Sequence, residues 1–453
     1  MTTALNTDRY ELTMLEAALH SGRAGRDCVF EVFARRLPGG RRYGVLAGTG
    51  RVLDAITAFR FGRAELDWLA NERVVDDATL ALLADYRFTG SVEGYREGEV
   101  YLPASPVLTV RGTFAEAVLL ETIVLSVLNY DTAVATAAAR MVAAADGHPI
   151  AEMGSRRANE SAAVAAARAA YIAGFSATSN LEAGRTWGIP TMGTAAHSFT
   201  LLHDSEEEAF RAQVAALGSD TTLLVDTYDV RAGVELAVRV AGPQLGGVRL
   251  DSGDLPALVR EVRAQLDALG ATGTRITVTS DLDEHTIAAL RGTPVDAFGV
   301  GTSVVTGSGS PAAGFVYKLV ARRDPDSSEW MPVAKTSTGK VSLGGAKRAE
   351  RLLRDGVAVA EHIAVDDDRD GVPEAATPAD RGVDSEPGHV PAALTTSRPL
   401  TATLMRDGES DPRWLGPAGV RAAREHRATA VGELPAAALR LSRGEPALPV
   451  IQL

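Results

Sequence analysis

The segments E-M-G-S-R-R-A-N-E at Glu152–Glu160, A-T-S-N-L-E-A-G at Ala177–Gly184 and G-I-P-T-M-G-T-A-A-H-S-F at Gly188–Phe199 decide the fold. Three short apolar stretches lead into them, and each ends in glycines, hydroxyls, arginines or a histidine. Parallel strands covered on both faces read as brief apolar runs, and α/β folds keep their chemistry just past the C-terminal ends of those strands.

Working outward, strands are predicted at Pro149–Met153, Phe175–Thr178, Ile189–Met192, Thr222–Val225, Gly247–Leu250, Arg275–Thr279 and Val295–Gly299. Most are separated by helical patterns, at Asn159–Ala173, Glu206–Leu217, Val230–Val240, Leu255–Leu269 and Glu284–Leu290, so the segment reads as repeated βα units. A doubly wound open sheet would collect its ligand residues at one switch point. Here every strand end is decorated: Gly154-Ser155-Arg156-Arg157, Ser179-Asn180, Gly193-Thr194 with His197, Asp226-Thr227-Tyr228, Asp251-Ser252-Gly253-Asp254, Ser280-Asp281 and Gly299-Val300-Gly301-Thr302. A ring of loops around one opening, in a closed or nearly closed barrel, fits that distribution better.

On the N-terminal side, residues 27 to 36 alternate as a strand, Arg51–Phe59 and Ala64–Tyr86 are helical, and 91 to 113 carries short strand pieces, giving an α+β region. Phe114–Ala145 predicts long helix. Beyond the barrel, Gly314–Arg323 and Trp330–Lys335 form a hairpin pattern, and Val341–Ala364 continues in short pieces. Asp366–Pro391, rich in Asp, Pro, Gly and Glu, reads as an exposed mobile loop. The strand Pro399–Leu404 and the helix Ala418–Ala430 need a partner, which the N-terminal region can supply. The expected divisions are 1–125, 126–312 and 313–453, the last packing back on the first.

Composition narrows the function. The chain has 453 residues, 45% hydrophobic and 23% charged, so it can bury a large core. Its 46 basic and 58 acidic residues leave a net charge of −12, which would repel nucleic acid, so an anionic ligand must be caught locally. The single cysteine, Cys28, cannot form an internal disulfide and suits a reducing cytoplasm. The N-terminus lacks a basic and apolar leader pattern, and glutamates at 116 and 121 interrupt the most apolar segment, so neither export nor membrane insertion is expected.

Arg156 and Arg157 can grip phosphate or carboxylate, or else pair with Glu152 or Glu160. Phe298–Thr302, F-G-V-G-T, can offer backbone N–H groups to a phosphate or simply make a tight turn. In R-L-D-S-G-D at Arg249–Asp254 the carboxylates can serve sugar hydroxyls, Mg²⁺ or a developing cation, while helix capping would account for Asp251 or Asp254 without a ligand. His197, among small residues, can be structural, or an acid, base or phosphate acceptor. No H-x-H or C-x-x-C spacing points to zinc.

T-D-R-Y-E-L-T-M at Thr7–Met14, E-M-G-S-R-R-A, G-F-S-A-T-S-N at Gly174–Asn180, G-T-A-A-H-S-F, V-D-T-Y-D at Val225–Asp229, V-R-L-D-S-G-D-L at Val248–Leu255 and F-G-V-G-T together resemble the signature blocks of nicotinate phosphoribosyltransferases, in order over residues 5 to 345. The resemblance implies an incomplete, about seven-stranded α/β barrel beside an α+β domain built from both chain ends. It also implies a head-to-tail homodimer with shared active sites. The implied reaction converts nicotinate and phosphoribosyl pyrophosphate to nicotinate mononucleotide and pyrophosphate in NAD salvage, with coupled ATP hydrolysis and Mg²⁺.

By the same resemblance His197 is the phosphorylated histidine, Tyr10 stacks on the pyridine in the partner subunit, and Arg156 and Arg249 contact the mononucleotide. Asp226 and Asp251 serve ribose and metal; Ser280, Asp281, Gly299, Gly301 and Thr302 form the 5′-phosphate pocket. Met153 stands where the family usually has an aromatic. Ser179, beside Asn180, stands where the nicotinamide-using relative has an aspartate, which favours nicotinate as substrate. Quinolinate phosphoribosyltransferase and a non-catalytic ligand sensor are rival readings; the first should be shorter and lack the His197 block. Lys335 and Lys340 are candidates for nucleotide phosphates.

Overall fold

A computed structural model of the chain describes residues 2–327, 329–335, 343–365 and 396–452. It divides into two compact units, one of residues 1–132 with 312–453 and the other of 133–311. The first division therefore falls at 132/133, within the helix Glu121–Ala145, and not at 125/126.

In the discontinuous unit, the strand Asp27–Ala34 lies between Phe315–Arg323 and Leu108–Thr113, all antiparallel, and Ser91–Tyr95 joins Leu108–Thr113 to the C-terminal strand Thr401–Arg406. The strand Trp330–Pro332 pairs with Phe315–Arg323 as a hairpin. Buried ion pairs fasten the tail to these early strands. Arg351, fully buried, holds Glu361 at 2.9 Å and the carbonyl of Val100 at 2.8 Å, while the Tyr95 hydroxyl donates to Glu361 at 2.7 Å. Arg398 reaches Glu99 at 2.8 Å and Glu433 at 2.6 Å. Charges this deep persist because each is paired and hydrogen-bonded, and removing one partner would strand the other.

The helical stretch predicted at Phe114–Ala145 is two helices, Phe114–Val118 and Glu121–Ala145, the first opened by a capping box of Thr113 and Glu116. Among the described residues only Glu121–Ala145 is long and apolar enough to cross a membrane, and 72% of its apolar window is buried inside the fold.

Glu11, on the helix Arg9–His20, lies buried against the first turn of that long helix and accepts the backbone N–H of Thr122 at 2.9 Å. Burial pushes its carboxyl up to about 7, against the threonine hydrogen bonds that favour the ionised form. A carboxyl raised in the folded state binds more protons folded than unfolded between about 4.5 and about 7, so stability falls as pH rises across that window. Glu11→Gln keeps the shape and is expected to abolish that decline, read from urea midpoints at several pH values; an unchanged slope would assign it elsewhere.

In the second unit the strands are β1 (Ile150–Glu152), β2 (Ala177–Thr178), β3 (Thr222–Leu224), β4 (Gly247–Leu250), β5 (Arg275–Val278) and β6 (Ala297–Val300). All are parallel, in the order β2-β1-β6-β5-β4-β3. Ile150, Leu223, Leu224, Val248, Leu250, Ile276, Val278, Phe298 and Val300 are all buried, so the apolar runs are strands covered on both faces.

The predicted strand Ile189–Met192 is corrected. It makes one bridge, Thr178 to Thr191, beside β2. Pro190 accepts from the Thr178 N–H and Met192 donates to the Thr178 carbonyl, each at 3.0 Å, but Pro190 has no N–H with which to extend the ladder on its N-terminal side. Helices α1 (Glu160–Ile172), α2 (Leu181–Trp187), α3 (His197–Leu202), α4 (Glu206–Leu217), α5 (Val230–Ala241), α6 (Leu255–Ala268), α7 (Glu284–Ala289) and α8 (Thr302–Val305) connect the strands. Side chains of Asn159, Asn180, Ser205, Asp229 and Asp283 cap α1, α2, α4, α5 and α7. The polar residues at strand ends that do not cap are thereby set apart.

Candidate active site

Asp226, Asp251 and Asp254 make no capping bond. Asp254 occupies the N-cap position of α6 without using its side chain, which removes the purely structural reading of that residue. Asp226, two residues past the end of β3, has a side chain only 1% exposed. Its Oδ2 accepts the Asp251 backbone N–H and the Ser252 hydroxyl, each at 2.8 Å, but its Oδ1 is buried with no hydrogen-bond partner. An unsatisfied buried carboxylate oxygen is costly unless a ligand supplies the missing partner.

His197 faces that oxygen. As the first residue of α3 it is held by Thr227, whose hydroxyl lies 3.2 Å from Nδ1. Its Nε2 is 3.9 Å from Asp226 Oδ1 and 3.9 Å from Asp251 Oδ2, beyond hydrogen-bond range, and the ring is 41% exposed. One nitrogen is anchored and the other is open toward a carboxylate pair.

Asp251, following β4, accepts the hydroxyl of Thr279 and lies 3.4 Å from Arg249 Nη2. Arg249 also donates to the Thr194 hydroxyl and, at 3.0 Å, to the Ala195 carbonyl. The guanidinium is thus fixed by the loop leading into His197, and its Nε is buried without a partner. Histidine, two aspartates and arginine form one contact network drawn from the ends of β3 and β4 and the start of α3.

A second network adjoins it. Glu152 ends β1 fully buried, accepts the Thr178 hydroxyl at 2.6 Å and the Gly154 N–H, and is shifted upward in pKa by burial. It does not pair with Arg156, as one reading of the sequence allowed. Arg156 is exposed and, among the described residues, has no ion pair, so its guanidinium is available to a ligand. Asn180 bridges the loops by donating to Ser155 at 2.9 Å while its Oδ1 caps α2. Ser179 is exposed, its N–H bonded to the Glu152 carbonyl at 2.8 Å.

Met153 packs its sulfur against Gly299 of β6, where an added Cβ would lie 2.7 Å from that sulfur and 2.6 Å from Thr279 Cγ2. Gly299→Ala should therefore push on both Met153 and Thr279, and through Thr279 on Asp251. A loss of about 1–3 kcal/mol, the usual cost of overpacking, is expected in urea unfolding together with weakened turnover. Unaltered stability would mean that the neighbours yield freely. Gly301 precedes Thr302 at the start of α8, close to the backbone of Met153 and Gly154. Ser280 and Asp281 both adopt left-handed backbone, with φ of 96° and 43°, a strained pair following β5.

The second unit thus holds every predicted site residue except Tyr10 and the lysines. Tyr10, in the first unit, is 45% exposed, and burial and Glu121 push its hydroxyl up to about 12. Lys335 is exposed in the first unit; Lys340 and Asp366–Pro391 lie outside the described residues. Four threonines orient the charged groups: Thr194 and Thr227 stand among the strand-end residues read from the sequence without a role of their own, while Thr178 and Thr279 fall inside predicted strands, where a threonine carries no signal beyond strand propensity.

Residues 5–129 match the family profile described as the nicotinate phosphoribosyltransferase (NAPRTase) N-terminal domain. Nicotinate phosphoribosyltransferase pncB1 of Mycobacterium tuberculosis (strain ATCC 25618 / H37Rv) is 53% identical, over 98% of this chain and 94% of its own. Nicotinate phosphoribosyltransferase of Bacillus subtilis (strain 168) is 37% identical over 77% and 73%. Among solved structures, human nicotinic acid phosphoribosyltransferase superposes with a TM-score of 0.79 at 27% identity, covering 99% of this chain and 97% of that one. The nicotinate-nucleotide pyrophosphorylase of Pyrococcus furiosus, at 23% identity and a TM-score of 0.74 over 95% of both chains, shares the fold.

Proposed function

The chain belongs to the nicotinate phosphoribosyltransferase family, and we propose that its strand-end site transfers the phosphoribosyl group of phosphoribosyl pyrophosphate to nicotinate, releasing pyrophosphate, in NAD salvage in the cytoplasm. The observation that carries this reading is the half-exposed His197 facing Asp226 and Asp251, with Arg249 fixed behind them. The parallel strands with the bridge at Thr191 suit an incomplete barrel open between that segment and β3.

The anomeric carbon becomes oxocarbenium-like as pyrophosphate departs, so the site must hold negative charge near the ring and positive charge at the leaving group. Asp251, oriented by Thr279, supplies the first; Arg249 supplies part of the second and orients the mononucleotide. Arg156, unpaired, meets an anionic group of the substrate. Ser179 and Asn180 present neutral hydrogen-bonding groups that a nicotinate carboxylate accepts, whereas a carboxylate at Ser179 would repel it. Met153 gives the pyridine a sulfur contact, and Tyr10 of the partner subunit in a head-to-tail homodimer stacks on its other face. Ser280, Asp281, Gly299, Gly301 and Thr302 surround the 5′-phosphate.

Mg²⁺ suits Asp226 and Asp251: it is held by one or two carboxylates, with substrate phosphates and water completing its shell. The unpartnered Asp226 Oδ1 would supply such a ligand. When bound the cation neutralises the leaving pyrophosphate. ATP hydrolysis is coupled through His197, whose Nε2 takes the γ-phosphoryl group as ADP leaves and later yields it to water as inorganic phosphate; while it lasts, the group adds nearly two negative charges beside the carboxylate pair.

The test is a turnover assay with phosphoribosyl pyrophosphate, ATP and Mg²⁺ offering nicotinate and nicotinamide in competition, with mass spectrometry of the protein after ATP. Nicotinate mononucleotide with stoichiometric pyrophosphate, and phosphate on His197, are expected. Preferential use of nicotinamide overturns the substrate, and phosphate on another residue overturns the coupling.

A further inference from the structure

A cavity of about 300 Å³ lies wholly in the first unit and shares no residue with the strand-end site. Its walls are Ala17, Ala18, Phe114 and Leu319 on the apolar side and Arg23, Arg26 and Arg322 on the other, with Cys28 and Ser21 completing it. A volume of this size is at the lower end of those that enclose small organic ligands.

Among the described residues none of the three arginines makes an ion pair, although the protein as a whole carries a net charge of −12. The nearby acids are hydrogen-bonded elsewhere: Asp27 pairs with Arg323 at 3.0 Å, and Asp324 accepts the backbone N–H groups of Asp326 and Ser327 at 2.9 and 3.0 Å, bonds that hold its carboxyl below the usual range with a smaller contribution from Arg26. Arg26 is held in place, its Nε donating to the Arg323 carbonyl at 2.7 Å, which leaves its two terminal nitrogens for another acceptor. Arg322 stands opposite Cys28 across the paired strands. The turn carrying Arg23 is fixed by backbone bonds, from the Arg23 N–H to the Ala18 carbonyl at 2.7 Å and from the Phe114 N–H to the Arg26 carbonyl at 2.8 Å. Like charges gathered in a partly buried hollow repel one another until an anion enters, and guanidinium groups bind phosphate and carboxylate through charge-assisted hydrogen bonds.

We propose that this cavity is a binding site for a small organic anion whose phosphate or carboxylate meets Arg23, Arg26 and Arg322 while a flat apolar body packs on Phe114 and Leu319. The lone cysteine provides a local readout, because Cys28 lines the cavity and no other thiol exists in the chain.

Phenyl phosphate is the probe, with inorganic phosphate and phenol as its separate halves, all at matched ionic strength. By calorimetry the intact protein should bind phenyl phosphate about tenfold or more tightly than either half, and Arg26→Gln with Arg322→Gln should remove that binding component while leaving phosphoribosyl transfer unchanged. Should the double variant fail to fold, the unmodified protein still decides the matter: phenyl phosphate should slow modification of Cys28 by methyl methanethiosulfonate severalfold, and inorganic phosphate much less. Superimposable isotherms for the intact and substituted proteins, or a Cys28 rate indifferent to phenyl phosphate, overturn the proposal. Stronger protection by phenol alone also overturns it, since the arginines would then play no part. A carboxylate ligand in place of a phosphate one would show as benzoate outcompeting phenyl phosphate.

Discussion

Asp251→Asn is expected to lower kcat/KM for phosphoribosyl transfer by roughly 10²–10³-fold, the loss typical when one preorganised electrostatic group is removed from a transition state. The amide matches the carboxylate in size, and one of its atoms can still accept from Thr279. What disappears is the charge that faces His197 at 3.9 Å and Arg249 at 3.4 Å. Stability should change little by comparison, because Arg249 retains Thr194 and the Ala195 carbonyl as acceptors. The split between a large rate loss and a small shift in urea midpoint separates a charge that acts on the reaction from one that merely holds the loop. Near-normal turnover in a folded Asp251→Asn variant would remove Asp251 from the chemistry and leave Asp226 as the acidic group.

The strand ends are legible because a strand buried on both faces cannot hide: its apolar run stops abruptly, and whatever follows is loop. Asp226, Asp251 and His197 stand out on that ground, and the structure joins them. The third predicted strand fails for a reason present in its own sequence, Pro190, whose missing N–H keeps the single bridge of Ile189–Met192 from extending on its N-terminal side. The sequence allows Glu152 as a partner for arginine, yet it turns inward to Thr178 and Gly154. Nothing local to E-M-G-S-R-R distinguishes these outcomes, since the choice depends on a hydroxyl supplied by the neighbouring strand. The return of the tail is legible only as a need for burial. Which groups satisfy it, such as the Tyr95 hydroxyl bonded to Glu361 across 266 residues of chain, is set by tertiary placement that no local pattern encodes.

His197→Asn should abolish phosphorylation of the protein by ATP and uncouple ATP hydrolysis from product formation, with kcat/KM in the presence of ATP falling by about 10²-fold or more, the scale on which a positioned acid, base or acceptor contributes. Asparagine can keep a hydrogen bond to Thr227, so α3 should still form and the loop carrying Thr194 should stay attached to Arg249. What it cannot do is take a phosphoryl group at the position of Nε2, the nitrogen that points toward Asp226 and Asp251. The decisive comparison is therefore the ratio of rates with and without ATP. In the intact protein ATP should accelerate turnover, because the charge added at His197 reorganises the carboxylate pair and whatever cation it holds. In the variant that ratio should fall to one, leaving only the slower, ATP-independent transfer. If ATP still accelerates the variant, energy enters through another residue, and His197 serves the sugar or the pyrophosphate directly.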